Sequence, residues 1–146
     1  MSDRAFLQGS ADLLLKLYES RREPALREAR DWWVTKFHPK SAKDVLRIWV
    51  SAESAPYRMV TTHWEMAATF VALGAIDAAM FHAANTEHLA IYARLRPYLA
   101  EIRELTGYPT YLAQLEKVVT DLPDLEERLA PIQRYLARRA AEAQQA

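Results

Sequence analysis

The chain has 146 residues, is 51% hydrophobic and carries 19 basic against 19 acidic side chains, for a formal net charge of zero. A single domain of that length buries about two-thirds of the surface its unfolded chain exposes, and the charge balance argues against strong whole-chain attraction to nucleic acid or anionic lipid. The absence of cysteine excludes disulfides and thiolate metal sites, and three glycines, Gly9, Gly74 and Gly107, leave nothing from which to build a glycine-rich phosphate cradle.

Low glycine, abundant alanine and leucine, and spaced prolines predict an all-helical protein. Residues 1–8 are expected to fray and contain no run resembling a secretory leader, so a cytoplasmic protein is expected. Ser10 is placed to cap a first helix to about Ser20, with Leu13, Leu14, Leu17 and Tyr18 on its apolar face. Pro24 suits a first helical position and opens a second helix in which Leu26, Ala29, Trp33 and Phe37 recur at helical spacing. His38-Pro39 ends that helix, and Ser41 with Asp44 begins a third, to about Val50. Its segment VLRIWV (45–50) is also acceptable as a strand by composition. Residues 51–58, with Pro56, read as a connecting loop.

The next stretch, 61–84, holds the longest nearly uncharged run. Thr61 or Thr62 is expected to cap a helix with Glu65 in its first turn, followed by Met66, Ala67, Phe70, Val71 and Leu73. Gly74 supplies the left-handed stop, and Asp77 caps a short helix through Phe81 and His82. Because the helix at about 62–73 is apolar nearly all round, it is expected at the centre of the protein. The interruption at 74–77, with His82 and Asn85 beyond it, leaves no run of about twenty apolar residues, so no membrane span is expected. The second helix offers Ala78, Ala79, Met80 and Phe81 where a DNA-reading helix carries polar side chains, so no nucleic-acid partner is expected either.

Asn85 or Thr86 caps a longer helix through Leu89, Tyr92, Leu95, Leu99 and Ile102 to Gly107, bent at Pro97. Pro109 is expected to start a helix through Leu115 and Val119, and Pro123 the last one. There the seam of Leu125, Leu129, Ile132 and Leu136 is interrupted by Pro131, and residues 141–146 fray. The expected architecture is a single all-α domain over 1–146, a bundle of about seven or eight helices around the apolar one.

The segments THWEMAATFVALGAID and LAIYARLRPYLAEIREL, with Trp64, Glu65, Gly74, Ile76, Asp77, Tyr92, Pro97 and Arg103, resemble an uncharacterised bacterial family of small all-helical domains of unknown function. The resemblance spans roughly residues 33–115. It implies an all-helical fold and assigns no activity, cofactor or catalytic residue.

Candidate sites are few. His63, Glu65, His82, Glu87 and His88 are the residues from which a metal site could be drawn, but His63 and Glu65 project about 200° apart on a helix, and no Glu-x-x-His motif occurs. No metal or cofactor is expected: Glu65 and Glu87 read as first-turn acids and the histidines as hydrogen-bonded, partly buried groups. Trp32, Trp33, Trp49 and Trp64 fall within 33 residues. They read as core, as an interface or as a pocket wall. Because Trp32 and Trp33 are adjacent, one of them is expected to point outward as a contact anchor. The serines and threonines stand at expected caps and loops, outside a nucleophile elbow, so no catalytic residue is assigned. Two readings follow: a non-enzymatic interaction or structural module that self-associates, as in a homodimer, through a helix carrying Trp32 or Trp33; or a small-molecule-binding protein or unrecognised enzyme with a pocket near His63, Trp64 and Tyr92, flanked by Glu65 and His82.

Overall fold

A computed structural model describes residues 2–146, and among them there are nine α-helices and no strand. In order they are α1 (Ser2–Arg21), α2 (Pro24–Thr35), α3 (Ala42–Trp49), α4 (Ser54–Ala72), α5 (Ala78–Ala84), α6 (Glu87–Leu95), α7 (Leu99–Thr106), α8 (Ala113–Thr120) and α9 (Leu125–Gln145). The segment that composition allowed as a strand is helix α3, begun by the Ser41 hydroxyl accepting from the Asp44 N–H at 3.1 Å. Of the ends expected to fray, Met1 lies outside the described residues; helix runs from Ser2 and continues to Gln145.

Helix α4 is the hub, packed against α2, α8, α3 and α5. Tyr57, Val60, Trp64, Ala67 and Ala68 are at most 1% exposed and recur at the three- and four-residue spacing of one helix face. Thr62 and Met66 on the other side reach solvent, so the helix is not enclosed all round as its composition suggested. It also starts seven residues earlier than Thr61. Pro56 falls in its first turn, where the missing N–H has no helical acceptor to lose. Thr61 and Thr62 are therefore not caps: their hydroxyls donate back to the carbonyls of Tyr57 (3.0 Å) and Arg58 (2.5 Å).

The expected corner after α4 is present. Gly74 sits at φ +83°, and the Ala75 N–H reaches the Phe70 carbonyl at 2.8 Å, the 6→1 bond of a Schellman stop. Asp77 then caps α5 by accepting from the Met80 N–H at 2.8 Å. Ser10, expected to cap its own helix, lies inside α1 and is fully buried. Its hydroxyl accepts from the Asp77 N–H at 2.9 Å and ties α1 to this corner.

Pro97 breaks the expected long helix into α6 and α7 rather than bending it. Pro109 does not open a helix: residues 109–112 form turns, Leu112 takes a left-handed φ of 54°, and α8 starts at Ala113. Pro131 is exposed within an unbroken α9.

Gly9 and Gly74 test these local readings against each other, since a Cβ would meet nothing within 4 Å at either. Gly74→Ala should lower the unfolding free energy by about 1–2 kcal/mol through its left-handed backbone alone. Gly9→Ala, inside α1, should raise it by up to about 1 kcal/mol. Urea unfolding of the two variants gives both signs.

Candidate functional site

Where the polar groups of the core converge, the centre is Glu87, the first residue of α6. Its carboxylate accepts from Trp64 Nε1 at 2.8 Å and from Arg30 Nε at 2.8 and 3.1 Å, and Arg21 Nη2 stands 3.7 Å away. Arg21 also lies over the Trp64 ring at 5.3 Å and donates to Asn85 Oδ1 at 3.4 Å. One side chain thus connects α1, α2, α4 and α6. The groups are one-fifth to one-third exposed, dry enough for charge-assisted bonds to outweigh ordinary surface pairs.

Around this node three histidines lie in the core: His63 edge-on to Trp64 at 4.9 Å, and His88 tilted against Trp64 at 5.6 Å and Phe81 at 4.6 Å. His82 Nδ1 and His88 Nε2 share a hydrogen bond of 3.0 Å, so one of these rings donates and the other accepts. Burial pushes His88 down to about 3 and His63 to about 4, and lowers His82 as well. All three are therefore neutral near pH 7. His63 Nε2 and His88 Nδ1 are buried without a partner. Among the described residues no three His, Asp or Glu side chains are grouped to hold an ion.

Glu65 faces the other way. Its carboxylate accepts from the backbone N–H groups of Leu115 (2.8 Å) and Gln114 (3.2 Å), capping α8 from a different helix. The α8 position that ordinarily carries a capping side chain is Leu112, which has none to offer. Burial raises the Glu65 pKa, and the two N–H donors oppose that rise. Beside it opens a cleft of about 720 Å³, mostly apolar, lined by Trp49, Tyr57, Thr62, Met66, Tyr108 and Tyr111 among others. The hydroxyls of Tyr57 and Tyr111 meet at 2.6 Å at its inner wall. Burial lifts Tyr57 to about 12 and raises Tyr111 further, so both phenols stay protonated. Trp49 Nε1 is buried there without an acceptor in bonding geometry. Arg103 fixes the rim by donating from Nε to the Tyr111 carbonyl at 2.9 Å and pairing with Glu116 at 2.9 Å.

The structure brings His63, Trp64, His82, Glu87 and His88 together as a packed polar core, and places Glu65 apart from them. Tyr92 is buried, with Glu116, Arg96, Arg103 and Glu126 as its charged surroundings, and makes no ring contact with Trp64 or His63. The aromatic cleft therefore lies across α4 from the place the sequence suggested. Trp49 is among the tryptophans that the sequence offers as a pocket wall, whereas Tyr108 and Tyr111 were missed because they join it only when the 108–112 turn folds onto α4.

The expectation of an outward tryptophan is overturned: Trp32 is 8% and Trp33 3% exposed. After α2 the chain turns back so that Phe37 stacks on Trp32 at 5.1 Å, while Trp32 Nε1 donates to Glu53 Oε2 at 2.5 Å. Trp33 stacks on Tyr57 at 5.5 Å. A helical wheel assigns one covered side; the returning loop and the α3–α4 link cover the second. Exposed apolar side chains stand elsewhere: Val50 (88%) and Leu73 (80%) singly at helix ends, and Leu7, Leu15 and Tyr18 together on α1 at 41%, 60% and 56%.

The buried histidines fix the sign of the acid response. Below the ordinary value near 6.5 the unfolded chain takes up protons that the folded chain refuses, so stability falls as pH drops from about 6.5 toward 3–4. The slope is about 1.4 kcal/mol per pH unit for each histidine titrating in full, offset in part by Glu65, whose raised pKa acts in the opposite sense. Between pH 6 and 4.5, His88→Gln should flatten the slope by roughly one histidine's share. An unchanged slope would refute the neutral buried state of His88.

Comparison with known proteins adds a family. No curated protein and no solved structure matches the chain. The family model for the domain of unknown function DUF4760 matches residues 6–122, from α1 through the end of α8, and leaves α9 outside the match. The chain belongs to the DUF4760 family of domains of unknown function.

Proposed function

We propose that this domain is a non-enzymatic, cytoplasmic protein-interaction module that self-associates through α1. The observation that carries the reading is the apolar stripe Leu7, Ala11, Leu15 and Tyr18, which recurs at helical spacing on the outer side of the helix. The inner side holds Ser10 and Leu17, both buried, and α1 packs chiefly on α2 and α5. A helix with two apolar sides and one of them open is suited to a second helix of the same kind. The cysteine-free composition supports a reducing compartment.

The expected result in light scattering is a mass near twice the 16.8 kDa of the chain. Leu15→Glu combined with Tyr18→Glu should return it to the monomer mass with unchanged helical circular dichroism. A wild-type monomer across the micromolar range sinks the reading.

A second reading, binding of a small apolar molecule, is favoured by the cleft beside Glu65, whose volume and aromatic walls suit such a ligand. Thr62 is exposed at its mouth. A fluorescent apolar dye should bind the wild type and lose at least tenfold in affinity to Thr62→Trp; equal binding by both proteins removes this reading.

A further inference from the structure

Arg94 of α6 is partly buried and has no carboxylate within ion-pair distance, unlike the arginines at the Glu87 node. It caps the end of α2: Nη1 donates to the Trp33 carbonyl at 2.6 Å and to the Phe37 carbonyl. Both bonds use the same nitrogen. Nε and Nη2, the edge of a guanidinium that grips a carboxylate with two parallel bonds, carry no protein acceptor.

The same side chain lines a groove of about 600 Å³ between the α6–α7 break and α9. His38 and Lys40 line it too, and no aspartate or glutamate does. His38 Nε2 contacts the Thr35 carbonyl at 3.1 Å, which makes Nε2 the protonated nitrogen and leaves buried Nδ1 without a partner. Apolar Pro97 with Leu136, Ala137 and Ala140 of α9 form the floor, where the two alanines leave space above the helix, and Tyr98, Gln133 and Gln144 add polar edges. A positive end made by Arg94, with its unused bidentate fork, and Lys40, beside a neutral His38 and continued by a largely apolar trough, has the polarity of a short amphiphile with an anionic head.

We propose that this groove binds a small amphiphilic carboxylate, its head on Nε and Nη2 of Arg94 and its hydrocarbon on the α9 alanines. A partly buried charge held only by carbonyl dipoles gains from a counter-ion. The lowered pKa of Arg94, about 10 and caused by burial, is the same unmet cost in another form. The site does not depend on self-association through α1, which lies on other helices.

Octanoate titrated into the full chain, followed by amide NMR shifts and calorimetry, tests it, with octanol and inorganic phosphate as controls. Saturable octanoate binding with shifts confined to 38–40, 93–98 and 133–144 is expected, octanol at least tenfold weaker. Arg94→Lys keeps the charge and loses the fork, and should weaken binding at least tenfold. Ala140→Phe fills the trough without touching the cap, and should abolish binding with the melting curve unchanged; it carries the test if Arg94→Lys does not fold. Octanol binding as well as octanoate, phosphate binding in place of octanoate, unsaturable uptake, no binding, or wild-type affinity in Ala140→Phe or in folded Arg94→Lys each overturns the proposal.

Discussion

The carboxylate of Glu87 is the constraint on which the arrangement of α1, α2, α4 and α6 depends. It stands at the start of α6, where a negative charge is favoured by the helix dipole, and it gathers donors from α2 and α4 with Arg21 of α1 close by. Removing either sign alone would leave a half-buried charge without its counterpart, which is costlier than never having built the pair. The geometry also positions what surrounds it. Trp64 is fixed in rotation by its Nε1 bond, and its faces then decide where His63, His88 and Arg21 can lie. The histidines are for that reason packed, neutral groups of the core.

A second theme is that helix ends are satisfied from other helices. Glu65 of α4 caps the start of α8, Arg94 of α6 the end of α2, and Ser10 of α1 accepts from the residue that caps α5. Such caps fix inter-helix geometry as well as helix length, because an orphan N–H or carbonyl is matched only when two helices stand in one relation. Two of them border concave surfaces. The cleft opens beside Glu65 where Leu112 holds a strained left-handed turn, and the groove opens beside Arg94 where Pro97 separates α6 from α7. The apolar side of α1 is the third surface left over once the core is closed, and the three lie on different elements.

Much of the fold was legible because its signals are local. The Gly74–Asp77 corner, the Ser41 cap and the Gly107 stop depend on residues within a few positions of each other, and each forms as its sequence suggests. The central place of α4 could be read from its uncharged run. The candidate sites were less legible. Glu65 read as a cap of its own helix because a first-turn carboxylate usually is one, and nothing local reveals that α4 begins earlier and that α8 lacks a cap. One of Trp32 and Trp33 was expected outward for the same kind of reason, since periodicity counts one buried face and is blind to Phe37 and Glu53 returning over the other.

What the sequence determined by itself is therefore the helical class, most helix stops, and the hub, since propensity, capping and hydrophobic spacing act over one or two turns of chain. What only the tertiary structure decided is which side chains stay open: the α1 stripe, the aromatic cleft, and the unused edge of Arg94. The physical reason is that exposure and unmet hydrogen-bonding capacity are properties of packing between distant segments. They are set by where the 108–112 turn, the Phe37 return and α9 come to rest, and no window along the chain contains both sides of those contacts.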